Sequence, residues 1–332
     1  MTNVYNYVRR VPKEKLNILT FPTHERYETQ LAKTGHNFFS FPELKSWDKT
    51  ACEVPSNYHI MKKGHFYPNY GFDLILSQSR YDQFNIAYKI NETLKLPIIT
   101  LEHTVPTSEL RPEDKMMLGR MVGDVNIFIT DYSAQQWMQL GVNRNVNVIE
   151  HCVNSELFNR ENIERGDHVL TIANNYIRRN YCLNFKMWHE VSTNQQFKML
   201  VVGKDNTNIS PDFIPAPNIS ALVDHYNSCG VYFNTSNDSP LPMSLLEAMS
   251  CGCPVVTTDT CGIASVIKHG VNGLVANTAD EATAAIRMLL TDKELANNLG
   301  ENARQTILDR FSQDRFVSEW NEIFSKTYEA SL

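Results

Sequence analysis

The sequence predicts an α/β protein built from two consecutive parallel-sheet domains. Short apolar runs alternate with amphipathic stretches along most of the chain, a pattern typical of strand–helix–strand units around parallel sheets. The polar segment Asn154–Asp167 interrupts this alternation and indicates a connection between domains. A chain of 332 residues suits two domains of about 100–200 residues each. Two such halves commonly bind a ligand in the cleft between them.

The first half opens on Leu16–Phe21 (LNILTF), a short apolar run that Pro22 ends, as expected of a buried strand. The helix expected over Thr23–Thr34 is closed by Gly35, at the position where a left-handed residue is common. Further strands are expected at Asn37–Phe41, Phe72–Ser77, Pro97–Leu101, Val125–Thr130 and Val146–Glu150. Further helices are expected at Tyr81–Thr93, Glu113–Val122 and Ser133–Leu140.

The second half repeats the pattern. Strands are expected at Val169–Ala173, Lys198–Val202, Val231–Thr235 and Pro254–Thr258. Helices are expected at Tyr181–Ser192, Ser220–Ser228 and Pro242–Ser250. Near the end of the chain, Phe316, Trp320 and Phe324 recur every fourth residue and predict an amphipathic helix. From spacing alone, this helix is expected to pack on its own domain.

Composition narrows the class of protein only slightly. The 42% hydrophobic and 20% charged residues are ordinary for a globular protein. The net charge of −6 does not indicate a nucleic-acid-binding protein, although an acidic protein can still carry a local basic groove. No apolar run approaches the ~18 residues of a membrane span, and the N-terminus lacks the apolar core of a signal peptide, so we expect a cytoplasmic protein. The seven cysteines fit no disulfide framework, and Cys251 and Cys253 are expected to be buried thiols because zinc needs about four ligands.

The segment Ser239–Cys253 (SPLPMSLLEAMSCGC) carries the main functional signal. Proline is tolerated in a first helical turn, so a helix is expected to begin near Pro242 with unpaired backbone N–H groups around Pro240–Ser244. Such a helix N-terminus is suited to binding a phosphate. Glu247 lies in an otherwise apolar context, where a buried carboxylate needs a partner such as a ribose hydroxyl. Spacing alone favours the alternative, a surface glutamate on an amphipathic helix.

The longer segment SPLPMSLLEAMSCGCPVVTTDTCGIASVIKHGVNGLVAN closely resembles the signature of retaining GT-B glycosyltransferases of the family-4 type. That signature contains two glutamates separated by seven residues, in a pattern of the form EGFPLSLLEAMACGCPVV. Glu247 matches the second glutamate, Gly262 a Gly-rich turn, and Gly270–Val275 the closing element. The resemblance implies that Glu247 binds the ribose of a nucleotide sugar.

Weaker similarity extends along the chain. VNVIEHCVNSELF resembles the family's connection between domains, LVDHYNSCGVYFNTS resembles the LxxLYxxADVxVxPS element, and Phe311–Phe324 resembles the helix that crosses back to the N-terminal domain. The resemblance therefore implies a compact, divergent GT-B fold, with two Rossmann-like domains facing each other across a cleft. It places an acceptor-side domain at residues 1–155, a nucleotide-sugar domain at 165–310, and a helix at 311–330 packed on the first domain.

Two departures from the family pattern concern donor binding. Ser239 stands where the first glutamate is expected, so Asp238 and Ser239 are both candidates to bind the donor sugar. The family's GRLxxxKG arginine and lysine correspond to Asn174 and Arg179.

An arginine can bind two phosphate oxygens and neutralise a departing diphosphate. Arg179 is therefore the main phosphate candidate, and Arg178 and Lys204 are weaker ones. The helix amides near Met243–Ser244 are expected to contact the same diphosphate.

Candidates in the N-terminal domain follow three strand ends. The family's Gly-Gly loop is replaced by PTHERY, in which Thr23, His24 and Arg26 open a helix, and Thr23 is a candidate to cap it. His103, in PIITLEHTVP, matches a family histidine that lies beside the reacting sugar. Acceptor-side candidates after the strand FDLILS are Gln78, Ser79 and Arg80.

The resemblance thus implies metal-independent transfer of a hexose or pentose, with retention of configuration, from a UDP- or GDP-linked sugar to a hydroxyl group. Arg179, His103 and Glu247 are the expected catalytic residues, and no separate cofactor or metal is expected; the chain has no Asp-x-Asp motif. A glycan, a lipid or another polymer is the expected acceptor, and related proteins also modify hydroxymethylated DNA bases. The alternative is a GT-B protein that does not transfer sugar, either a nucleotide-sugar epimerase or a sugar-binding module.

Overall fold

The computed structural model describes residues 13–41, 47–49, 52–62, 64, 71–81, 83–193, 197–209, 213–214 and 218–332. The chain divides into two compact units. Unit 1 comprises the described residues of Met1–His103, Arg111–Glu150 and Asp314–Leu332, and unit 2 comprises those of Thr104–Leu110 and His151–Gln313. Each is an α/β unit around a parallel sheet.

The described part of unit 1 contains a seven-stranded parallel sheet in the order β3-β2-β1-β4-β5-β6-β7. Its strands are β1 (Asn17–Phe21), β2 (Asn37–Ser40), β3 (Tyr58–Ile60), β4 (Leu74–Ser77), β5 (Ile98–Glu102), β6 (Val125–Phe128) and β7 (Val146–Val148). The central strands β4 and β5 are buried at every position, which agrees with their uninterrupted apolar runs. Six of these strands were predicted, and the three-residue β3 was not.

Helices connect these strands, and their ends have local causes. Within the described residues, the helices between the strands are α1 (Glu25–Ala32), α2 (Gln83–Leu94), α3 (Pro112–Gly119) and α4 (Asp131–Met138). The chain leaves α1 through Gly35, whose φ of +85° is a left-handed value that glycine adopts without strain. Strand β6 ends two residues earlier than predicted because Thr130 is the N-cap of α4, where its hydroxyl accepts from the Ser133 amide.

The described part of unit 2 contains a six-stranded parallel sheet in the order β10-β9-β8-β11-β12-β13. Its strands are β8 (Val169–Ile172), β9 (Met199–Val202), β10 (Phe213–Ile214), β11 (Val231–Asn234), β12 (Val255–Thr257) and β13 (Leu274–Val275). The unit's helices are α5 (Asn180–Leu183), α6 (Phe185–Thr193), α7 (Ile219–Ser228), α8 (Met243–Ser250), α9 (Ala279–Thr291) and α10 (Lys293–Arg310).

The prediction of a single helix over Tyr181–Ser192 is wrong, because the structure has two helices there. Helices α5 and α6 are separated at Asn184, which adopts a left-handed conformation with φ +53° and ψ +54°. Asparagine tolerates this conformation better than most residues, but the surrounding sequence contains no glycine or proline that signals a break.

The C-terminal helix α11 (Gln313–Glu329) carries the predicted apolar stripe. Phe316, Trp320 and Phe324 are each fully buried. The Phe316 ring lies 5.5 Å from the Tyr27 ring of α1, and the Phe324 ring lies 6.1 Å from Phe38 of β2. Because these contacts lie within unit 1, α11 packs with the N-terminal elements although it ends the chain.

Candidate functional site

The sheet of unit 2 has a topological switch point between β8 and β11, where the strand order reverses. In open α/β sheets, ligands bind outside the carboxyl ends of the strands at such a point. The segment after β8 carries Asn174, Arg178 and Arg179, and the segment after β11 carries Asp238 and Ser239. The topology therefore brings these predicted donor-site residues to one edge of the sheet.

Hydrogen bonds tie the segments after β8 and β11 together. The amides of Asn237 and Asp238 donate to the Cys182 carbonyl at 3.0 and 3.3 Å. The Thr235 hydroxyl donates to the Leu183 carbonyl at 2.6 Å and is bonded to the Tyr176 hydroxyl. Helix α5 is thus fixed to the loop that precedes α8.

A second set of bonds holds that loop from the side of β12. The Gly262 amide donates to the Pro240 carbonyl at 2.8 Å, and the Thr260 hydroxyl donates to the Ser236 carbonyl at 2.6 Å. Gly262 is the residue that matched the turn of the family signature. Its contact shows that the turn supports the entrance to α8.

Helix α8 begins as the sequence predicts. Pro242 is its N-cap, in an extended conformation and without a side-chain cap bond. The first turn presents the amides of Met243 and Ser244, for which an α-helix supplies no carbonyl partner. Pro242, Met243 and Ser244 are each half-buried. This arrangement suits an anion at the helix N-terminus.

Glu247 lies one turn further along α8 and is 1% exposed, so its interpretation as a surface residue is wrong. Its Oε2 atom accepts a hydrogen bond of 3.1 Å from the hydroxyl of Tyr226, which is fully buried on α7. A hydrogen bond to a charged group stabilises by about 1.5–3 kcal/mol. Tyr226 was not predicted as a site residue, although it matches the tyrosine of LxxLYxxADV.

Asp238, a candidate replacement for the missing glutamate, binds Ser108. Its Oδ2 atom accepts from the Ser108 amide at 3.0 Å and from the Ser108 hydroxyl at 3.1 Å. Ser108 belongs to Thr104–Leu110, the segment that unit 2 takes from the N-terminal half of the sequence. Ser239, which follows Asp238 in the sequence, is half-buried.

The remaining donor-side candidates differ in their surroundings. The Asn174 side chain accepts from the Lys204 amide at 2.7 Å and so joins the ends of β8 and β9. The side chain of Lys204 is exposed. Arg178 and Arg179 are exposed, and within the described part of the chain neither forms an ion pair. Arg179 is the N-cap residue of α5, which places it next to the loop containing Asp238.

Unit 1 has its own switch point, between β1 and β4. Thr23 follows β1, Gln78 and Ser79 follow β4, and His103 follows β5. The Thr23 hydroxyl donates to Gln78 Oε1 at 3.4 Å, and His103 Nε2 lies 3.3 Å from the same oxygen. Gln78, which follows β4, thereby connects Thr23 after β1 with His103 after β5.

The prediction that Thr23 caps α1 is wrong. The helix begins at Glu25, so its N-cap is His24, which makes no side-chain cap bond. His24 is exposed, with its ring 6.1 Å from the His103 ring, and Arg26 is half-buried in the first helical turn. The His103 ring packs edge-on at 4.8 Å against the Tyr27 ring.

Arg80 was predicted to face an acceptor, but the structure places it in the interior of unit 1 with 1% exposure. Its guanidinium donates to Glu102 at 3.4 Å, to Thr100 at 3.1 Å and to Asn126 at 3.2 Å. The rings of Phe128 and Trp137 lie 5.1 and 5.2 Å from it. These contacts stabilise the carboxyl ends of three strands. Ser79 is half-buried, and its hydroxyl accepts from the Tyr81 amide.

Glu28 on α1 is a buried acid that the sequence analysis missed. Its side chain accepts from Gln78 Nε2 at 2.6 Å and from the Tyr58 hydroxyl at 3.1 Å. Burial raises the pKa of Glu28 to about 7, and the bonds from Gln78 and Tyr58 oppose that shift. The signal for its burial was its place on the apolar face of α1, three residues before Leu31.

Among the described residues, no group of three or more histidine, cysteine, aspartate or glutamate side chains could hold a metal ion. Cys251 and Cys253 are fully buried and free, as predicted. No helix in the described part of the chain is long and apolar enough to cross a membrane.

Comparison with solved structures shows which fold the protein has. Over 95% of this chain, the fold matches all of sucrose-phosphate synthase from Thermosynechococcus elongatus, with a TM-score of 0.78 and 15% identity. It also matches all of Anabaena HepE in complex with UDP and glucose, over 94% of this chain, with a TM-score of 0.77 and 14% identity. The protein therefore has the GT-B fold.

The family comparison concerns the second half of the chain. Residues 155–306 match the family of glycosyl transferases group 1, which confirms the resemblance carried by the α8 segment. An uncharacterized glycosyltransferase of Methanocaldococcus jannaschii is 23% identical over 98% of this chain and 93% of its own length. N-acetyl-alpha-D-glucosaminyl L-malate synthase of Bacillus anthracis is 39% identical over 82 residues, which are 24% of this chain but only 22% of that enzyme.

Proposed function

We propose that the protein transfers a sugar from a UDP- or GDP-linked donor to a hydroxyl group of a glycan or lipid, with retention of configuration and without a metal ion. One observation carries this proposal. The α8 N-terminus, the Arg179 turn and the buried Glu247 are assembled at a single switch point in unit 2. Anion-binding amides, an exposed cation and a fixed carboxylate are the groups that a nucleoside diphosphate requires.

The diphosphate is assigned to the amides of Met243 and Ser244 and to Arg179. As the bond to the sugar breaks, negative charge grows on the departing diphosphate, and preorganised donors stabilise that charge. Arg179 is suited to this role because a guanidinium binds two phosphate oxygens at once. Arg178 and Lys204 are exposed cations in the same region of the unit and would add to the positive potential.

The ribose is assigned to Glu247. Its carboxylate is already oriented by Tyr226, so binding would not require the side chain to lose further rotational freedom. A ribose hydroxyl would share this carboxylate with the tyrosine. The donor sugar is assigned to the loop of Asp238 and Ser239, where the bonds from Ser108 define the position of the Asp238 carboxylate.

The acceptor is assigned to unit 1, at the carboxyl ends of β1 and β4. Thr23, His24, Arg26 and Ser79 are each exposed or half-buried there and offer hydroxyl, imidazole and guanidinium groups to a polar acceptor. The family resemblance assigns His103 to the reacting sugar. The solved relative from Anabaena binds UDP and glucose, which supports a hexose donor.

Thermal-shift measurements and calorimetry with UDP, GDP and their hexose conjugates test the donor site. A ligand that binds only the folded state raises its melting temperature. We expect at least one nucleoside diphosphate to do so, and expect Arg179→Ala and Glu247→Ala each to weaken its binding at least tenfold. Arg287→Ala, which removes an exposed arginine from α9, is the matched control and should bind normally. Unchanged nucleotide binding in both site variants would contradict the assignment.

A further inference from the structure

A buried hydrogen-bond chain connects Glu28 to His103 through Gln78. Gln78 is 1% exposed, and its Nε2 atom donates to Thr20 Oγ1 at 3.0 Å and to Glu28 Oε1 at 2.6 Å. An amide nitrogen carries two hydrogens, so these two acceptors use both. The other end of the amide, Oε1, can only accept, and it faces the Thr23 hydroxyl and His103 Nε2.

The charge on Glu28 decides which way the Gln78 amide points. An ionised carboxylate accepts hydrogen bonds and cannot donate them, so it requires the NH₂ end of the amide. If the amide were reversed, its oxygen would face the Glu28 oxygen at 2.6 Å, which is tolerable only when that carboxyl is protonated. The Glu28 side chain is itself fixed by the Tyr58 hydroxyl from β3.

We propose that Glu28 is a positioning residue, which orients the Gln78 amide so that its oxygen holds His103 as the tautomer protonated on Nε2. The Nδ1 atom of neutral His103 then carries a lone pair and accepts a hydrogen bond or a proton from a hydroxyl group. A role of His103 in catalysis rests on the proposed sugar transfer, whereas the tautomer of His103 does not depend on that function.

The surroundings support this division of roles. The Tyr27 ring packs edge-on against the His103 ring at 4.8 Å and restricts its rotation, whereas the Gln78 oxygen contacts one imidazole nitrogen, Nε2, at 3.3 Å. Among the described residues, the titratable groups beside this hydrogen-bond chain include Tyr58 and Glu25 next to Glu28, and His24 and Tyr27 next to His103. Because the pKa of Glu28 is about 7, its carboxylate is ionised at pH 8.5.

Nitrogen-15 NMR of the full-length protein labelled in its histidines tests the proposal directly. The His103 signals are assigned by their loss in His103→Gln. At pH 8.5, wild-type His103 is expected to be the Nε2–H tautomer. Glu28→Gln removes the charge that fixes the amide, so the His103 signals are expected to shift toward a mixture of tautomers. Glu25→Gln, which neutralises another acid on the same helix, should leave them unchanged.

A wild-type His103 protonated on Nδ1, or signals that are the same in Glu28→Gln as in wild type, would overturn the proposal. The wild-type measurement needs no variant, so the proposal stays testable if Glu28→Gln does not fold. Kinetics separates the two claims. If His103 acts in transfer, Glu28→Gln should lower kcat at least fivefold with little change in the donor KM. If His103 is the Nε2–H tautomer but the protein releases nucleoside diphosphate from none of the donors tested, the proposed function is refuted and the proposed role of Glu28 is not.

Discussion

Replacing Glu28 by glutamine should change how the stability of the protein depends on pH. In the folded protein the pKa of Glu28 is about 7, whereas the ordinary value for glutamate is 4.5. Between these values the folded state keeps a proton that the unfolded state has released. The free energy of unfolding contributed by this group therefore falls as the pH rises from 4.5 to 7, and is constant above that range.

The magnitude follows from the size of the shift. One pKa unit corresponds to about 1.36 kcal/mol, so a shift from 4.5 to about 7 is worth about 3.4 kcal/mol over the whole range. Between pH 5 and pH 8, linkage predicts a loss of about 2.5 kcal/mol, because the rest of the loss occurs below pH 5, where the unfolded carboxyl already begins to ionise. Glutamine has no such titration, and its amide can hydrogen-bond to Gln78 in either orientation of the Gln78 side chain and to the Tyr58 hydroxyl.

Urea unfolding of the wild type and of Glu28→Gln at pH 5 and pH 8 measures this effect. The comparison cancels the other buried groups that titrate in this range, including His36, whose pKa is lowered by burial. We expect the stability of the variant relative to wild type to be greater at pH 8 than at pH 5 by about 2.5 kcal/mol. A relative stability that is the same at both pH values would refute the reasoning.

Three further predictions concern packing and the donor site. Tyr226→Phe leaves the Glu247 carboxylate without its tyrosine donor, and we expect a stability loss of about 1.5–3 kcal/mol by urea unfolding and weaker nucleotide binding by calorimetry. Gly203→Ala would place a Cβ atom 1.9 Å from the Ala173 carbonyl oxygen at a φ of +150°, so we expect loss of more than 3 kcal/mol or of folding, seen by calorimetric melting. Trp320→Ala empties a fully buried site in unit 1 and should cost about 3–5 kcal/mol in the same assay. Near-wild-type stability in any of the three would contradict the packing described here.

The sequence was informative wherever structure depends on local pattern. Apolar runs predicted most strands within one or two residues, and Pro242 marked the start of α8. It was less informative where short elements depend on their neighbours, since β10 and β13 have only two residues each and exist because a longer strand lies beside them. The left-handed Asn184 separates α5 from α6, where its side chain accepts from the Met187 amide at 3.4 Å, and no glycine or proline marks that position in the sequence.

The sequence suggested candidate residues for the site, but it did not indicate which of them pair with one another. Glu247 was recognised as needing a partner, yet Tyr226, 21 residues earlier on another helix, could be identified only from the fold. Ser108 and Asp238 are 130 residues apart, and no spacing rule connects them. Arg80 shows the opposite error, because a charged residue at a strand end resembles a ligand-binding group until its buried partners are known.

Sugar transfer from a nucleotide sugar bound at the switch point of unit 2 can be measured in one assay. The protein is incubated with UDP- and GDP-linked sugars and a panel of hydroxyl acceptors, and released nucleoside diphosphate and glycosylated product are detected by mass spectrometry. We predict product from at least one donor with wild type and with Arg287→Ala, and at least a hundredfold less with Glu247→Ala. Equal product from wild type and Glu247→Ala, or no product from any donor together with no nucleotide binding, would contradict the proposed function.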